Sequence, residues 1–104
     1  LLSMPERPTA IFAMNDPMAC AVIAAARRLK INVPEELSVI GFDDRSCSVY
    51  SFPSISTLHI PLYDIGELAA KSLLSMLSGE DVEPDQQLPC NLIERNSVGD
   101  APIN

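Results

Sequence analysis

The sequence predicts an α/β fold with parallel strands. Three segments within residues 10–42 carry that prediction. Ala10-Ile11-Phe12-Ala13-Met14 is a short unbroken apolar run, as expected of a strand buried on both faces. Met18–Lys30 is alanine-rich, with Ala19, Val22, Ile23, Ala26 and Leu29 at helical spacing. Leu37–Phe42 is a second apolar run. Strand, helix and strand so close together make a βαβ unit, whose strands run parallel.

The remaining elements follow from local signals. Leu1–Thr9 is polar and proline-bearing and reads as a linker or frayed end. Asp16 is suited to cap the first helix and Pro17 to open it. Arg27, Arg28 and Lys30 complement the helix dipole at its end. Tyr50–Ser54 reads as a loop. Ser54–Ile60 alternates polar and apolar residues, as a half-exposed strand does. Pro61 opens a second helix, Leu62–Ser78, with Gly79 suited to its closing position. Glu80–Gln87 is an acidic, exposed loop. Leu88–Arg95 reads as a last strand, and Pro89 places it at a sheet edge. Val98–Asn104 reads as a loose tail.

Composition narrows the function. The chain has 104 residues, 47% of them hydrophobic, which suits one small globular domain. Its net charge of −7 makes it a poor partner for a phosphate backbone by itself. No apolar run approaches the roughly 20 residues of a membrane span. Cys20, Cys47 and Cys90 form no Cys-x-x-Cys pair and read as buried free thiols in a reducing cytosol. His59 is the one histidine and reads as a boundary residue. No glycine-rich phosphate loop or nucleophile elbow is present. No cofactor is called for, and no catalytic set. Asp43 and Asp44 could hold Mg²⁺, but nothing supplies a nucleophile beside them.

The polar groups cluster instead at strand ends. Asn15-Asp16 follows the first strand and Asp43-Asp44-Arg45 the second. In a parallel sheet both lie at the carboxyl end, where open α/β sheets bind ligands. Amide and carboxylate acceptors there suit a ligand rich in hydroxyl or N–H donors. Asn15 and Asp43 stand directly at the strand ends and are the first candidates. Asp16 is either a cap or a contact. Asp44 either starts a turn or touches ligand. Arg45 is either a clamp or a solvated partner for an acid. Tyr50 and Phe52 are aromatics in a loop, which suits an interface.

Several segments together resemble the LacI/GalR family. They are Pro8–Asp16 with the alanine-rich helix, Val33–Asp44, Pro53–Leu58 before Pro61, Gly66, and Leu92–Val98. The resemblance covers about residues 8–98. It implies a partial periplasmic-binding-protein-like, Rossmann-like three-layer sandwich with a mainly parallel sheet. It also implies the C-terminal fragment of an effector-binding domain in a cytoplasmic regulator. The small-molecule effector would be a sugar or purine. DNA would be met only through a separate N-terminal helix-turn-helix, and no membrane is involved. Asn15 and Asp43 match family residues that meet the ligand. Cys20, Ala24, Tyr50 and Phe52 fall in regions the family uses to form dimers. The helix after Pro61 packs in the family on a first subdomain that this chain lacks. Its stripe of Ile65, Leu68, Leu73 and Met76 is therefore expected to drive self-association. A periplasmic solute receptor shares this fold and is the alternative reading.

Overall fold

A computed structural model describes residues 1–103. The chain forms two compact units: Leu1–His59 with the segment from Asn91 onward, and Ile60–Cys90.

In the first unit, β1 (Ala10–Phe12) and β2 (Ser38–Ile40) pair in parallel, Ala10 opposite Ser38 and Phe12 opposite Ile40. α1 (Asp16–Arg28) connects them, completing the βαβ unit. A parallel bridge from Ile40 to Ser56 brings β3 (Thr57–His59) alongside β2. β4 (Asn91–Ile93) returns antiparallel on β3. Pro89 precedes this strand rather than lying in it.

The core of this unit is α1 against β2. Ala19, Ile23 and Ala26 fall on one helical face and pack with Leu37, Val39 and Ile55, all buried. The two alanines let the helix lie close to the sheet. Burying each larger aliphatic contributes about 1.5–3 kcal/mol. β1 is not buried on both faces as its apolar run suggests. Ile11 packs on the core, while Ala10 and Phe12, on the opposite face, are exposed. An apolar run reports what a strand can bury, not what this unit supplies to cover it.

Boundaries move for identifiable reasons. α1 stops at Arg28, short of Lys30. Lys30 takes a left-handed φ of 58°, and the Ile31 N–H reaches back to the Ala26 carbonyl at 2.9 Å. This is the usual closure of a helix end. A short helix, α2 (Ser46–Tyr50), occupies a stretch with no periodic apolar signal and runs into the expected loop. Neither end is loose throughout. Arg7 donates to the Glu36 carbonyl at 3.1 Å and to its carboxylate at 3.0 Å. Ser97 is buried and its carbonyl accepts the Val39 N–H at 2.8 Å, while the Gly99 N–H reaches the Ser38 hydroxyl at 3.1 Å. The cysteines are not buried thiols: Cys20 and Cys47 are half-buried and Cys90 is exposed, all free.

The second unit is α3 (Leu62–Leu77) and the segment after it. Gly79 closes the helix with φ 78°, as its position predicts. No α3 residue is buried. The acidic loop folds back along the helix, with Gln86 Nε2 donating to Ser72 Oγ at 3.2 Å. Val82 and Leu88 thereby line a groove with Ile65, Leu68 and Met76. Part of the apolar stripe thus has a partner within its own unit.

Candidate functional site

The loops after β1 and β2 are joined. The Asp16 N–H donates to the Phe42 carbonyl at 3.0 Å. Asn15 sits in extended backbone, and its Oδ1 accepts the Met18 N–H at 2.9 Å. The helix cap is therefore Asn15, not Asp16, one residue earlier than expected. The bond takes one acceptor site of the amide and fixes its rotamer, leaving the NH₂ group for other work.

Asp16 is fully buried and serves as an internal tie. Its Oδ1 accepts the Thr57 hydroxyl and its Oδ2 the Arg45 N–H, each at 2.6 Å. One carboxylate thus links the end of β1, the turn after β2, and β3. Gly41 makes room for it, since a Cβ there would collide with Asp16 Oδ1.

The turn after β2 is strained and pinned. Asp43 has φ 95° and Asp44 φ 55°, two non-glycine residues in succession in left-handed backbone. Such a conformation costs on the order of 1–3 kcal/mol per residue and persists only where its surroundings hold it. Here the Asp43 N–H donates to the Leu58 carbonyl at 3.0 Å, the Asp44 N–H to Thr57 Oγ1 at 3.4 Å, and the Arg45 N–H to Asp16. The Arg45 side chain is mostly exposed and lies 3.4 Å from Asp43 Oδ2, a surface pair worth about 0–1 kcal/mol.

Asp44 is anchored on both oxygens. Oδ1 meets Arg95 Nη2 at 2.7 Å, and Oδ2 meets His59 Nδ1 at 3.0 Å. Arg95 Nη1 also donates to Ser48 Oγ at 3.0 Å and to the Ile55 carbonyl at 2.9 Å. The arginine thereby ties the turn to α2 and to the start of β3. Its hydrogen bond draws the Asp44 carboxyl below its ordinary 3.8; burial pushes the other way, and His59 adds to the lowering. A carboxyl depressed in the folded state contributes stability above its unfolded value and loses it as pH falls through the folded one. The wild-type chain is therefore expected to lose part of its stability below about pH 4. Asp44→Asn should start less stable at neutral pH and decline less steeply in acid, as followed by thermal melts across pH.

A second cluster lies on α1, α2 and the residues just after α2. Cys20, Ala24, Tyr50 and Phe52 line one shallow groove with Ile23 and Arg27. Tyr50 and Phe52 are 85% and 83% exposed. Burial, with the neighbouring Cys47, pushes the Cys20 thiol up, which leaves it poorly nucleophilic. Sequence reasoning placed these four residues together. It did not place Arg95, Thr57 or His59 in the strand-end cluster. Nor did it find the edge-to-face pair of Phe12 and Phe42, 6.3 Å between centroids, at the same strand ends. Among the described residues, no group of three or more His, Cys, Asp or Glu could hold a metal ion. No helix among the described residues is long and apolar enough to cross a membrane.

Parallel strands ending in acceptor-rich turns define the class of open-sheet α/β ligand-binding domains. Within that class, the chain belongs to the periplasmic binding protein-like domain family, which it matches over residues 1–98, in the form found in LacI/GalR-type regulators. It is 38% identical to the HTH-type transcriptional repressor PurR of Escherichia coli, over 99% of this chain and 30% of that protein. A solved LacI family transcriptional regulator from Bifidobacterium animalis subsp. lactis is 41% identical, with a TM-score of 0.94 over 98% of this chain and 38% of that one. The lac repressor dimer, solved with operator and the anti-inducer ONPF, is 30% identical, with a TM-score of 0.83 over 88% of this chain and 32% of that one. The chain thus spans about a third of the length of these relatives.

Proposed function

We propose that this chain is the effector-binding and dimerisation portion of a cytoplasmic LacI/GalR-type transcriptional regulator. A small polar ligand, sugar or purine-like, binds at the strand ends through Asn15 and Asp43. It favours one arrangement of the whole regulator and so changes operator affinity through a separate DNA-binding head. No covalent step is involved. The observation that carries the reading is the direct bond between Asp16 and Phe42, which sets the loops bearing Asn15 and Asp43 side by side. Asp16 and Asp44 act behind this pair, since the oxygens of each are already engaged. Arg45 can reach outward. Cys20, Ala24, Tyr50 and Phe52 form the face for a second copy, an exposed aromatic patch of the kind that marks interfaces. That the similar lac repressor was solved as a dimer bound to operator and an anti-inducer supports this reading.

The test is calorimetry on the full-length regulator with hypoxanthine, guanine, galactose and cellobiose. Asp43→Asn should weaken binding of the compound that binds about tenfold, as expected for one charge-assisted hydrogen bond. Asn15→Ala should weaken it too, and cost about 1 kcal/mol of stability through the lost cap. Unchanged affinity in both variants would remove the strand ends from the site.

A further inference from the structure

His59, the single histidine, ends β3. Because β3 runs parallel to β2 through the Ile40–Ser56 bridge, its carboxyl end lies at the same end of the sheet as Asn15 and Asp43. His59 shares a strand face with Thr57, two residues before it, whose hydroxyl rests on Asp16. The imidazole therefore stands on Asp44, at the same end of the sheet as the two candidate contacts. Its side chain is 49% exposed, while the Asp44 beside it is only 18% exposed.

The bond between them fixes the ring. Asp44 is held as a carboxylate by Arg95 on its other oxygen, and a carboxylate only accepts. So Nδ1 carries the hydrogen that meets Asp44 Oδ2 at 3.0 Å. In the neutral ring, Nε2 then keeps its lone pair. Nε2 has no hydrogen-bond partner among the described residues. In that neutral form, the ring is held by Asp44, half-exposed beside a strained and pinned turn, with an acceptor open to a donor.

We propose that His59 is a third ligand-contacting residue, offering Nε2 to an O–H or N–H of the effector, with Asp44 as the positioning residue that sets its tautomer and rotamer. This rests on the reading that the strand ends bind the effector. The ligand class it selects carries at least two donors, one for the Asp43 carboxylate and one for the imidazole. Vicinal hydroxyls of a sugar and the ring N–H groups of a purine both qualify.

A lone imidazole gives unambiguous nitrogen signals. In the ¹⁵N-labelled chain, at a pH high enough that the ring is neutral, Nδ1 should be protonated and Nε2 bare, and Asp44→Ala should relax that preference. Hypoxanthine, guanine, galactose and cellobiose are then added in turn. A compound that shifts the amides of Asn15 and Asp43 should also move Nε2. His59→Asn keeps a donor where Nδ1 stood but deletes Nε2, and should weaken that compound about tenfold. His59→Gln, which returns a polar atom near the Nε2 position, should lose less. The opposite tautomer overturns the proposal. So does a compound that shifts residues 15 and 43 while Nε2 stays still, or full affinity in His59→Asn; in both cases the strand-end site itself stands. A panel that moves none of these signals overturns the site and this inference together.

Discussion

Gly41→Ala should destabilise the chain by about 3 kcal/mol or more, a large share of the 5–15 kcal/mol typical of a small domain. The cause is space, not backbone freedom. A Cβ at Gly41 would run into Asp16 Oδ1 and lie 3.3 Å from Asp16 Cα. The first contact is with a side chain that cannot swing away, because Thr57 and Arg45 hold both its oxygens. The second is with backbone at the start of α1. Relief therefore requires either breaking two hydrogen bonds, one buried and one half-buried, at about 1–3 kcal/mol for each group left unsatisfied, or moving the helix off the sheet. Gly66→Ala is the control. Nothing lies within 4 Å of a Cβ there, and the position is inside α3. It should gain about 0.5–1 kcal/mol from helix propensity. Urea denaturation of the two variants decides the matter. A Gly41→Ala loss below about 1 kcal/mol would mean that the Asp16 tie yields cheaply.

The contrast shows what the sequence makes legible. The βαβ unit could be read because apolar periodicity is a local signal, and Ala19, Ile23 and Ala26 do face the core. The carboxyl-end location could be read because parallel pairing fixes which loops are neighbours. The roles of adjacent residues could not. Asn15 and Asp16 are both good caps, and only the fold decides that Asn15 caps while Asp16 turns inward to Thr57, 41 residues away. Arg95 lies 51 residues from Asp44, beyond any local pattern. α2 is too short to carry a period. His59, on an alternating strand, looks like any boundary residue until Asp44 is found against its ring.

Arg95→Ala should be the second severe change, costing about 3 kcal/mol and releasing the turn after β2. The Arg95 side chain is only 17% exposed. Its loss strips three groups of a donor at once: the Asp44 carboxylate, the Ser48 hydroxyl and the Ile55 carbonyl. Asp44 then carries a poorly solvated charge with only His59 against it, and its left-handed backbone loses an anchor. Arg95→Lys should recover only part of the loss, since one ammonium cannot span partners on both sides of a planar fork. Adding Asp44→Asn to Arg95→Ala should cost little more, because the two residues share one interaction. Amide hydrogen exchange gives the spatial signature. Protection should fall together at Asp43, Asp44 and Arg45 and at Ser48, whose hydroxyl also donates to the Arg45 carbonyl at 2.7 Å. Amides of α3, in the other compact unit, should keep their rates. Exchange that rises evenly across both units would mean that Arg95 supports the fold as a whole, with no special hold on the turn.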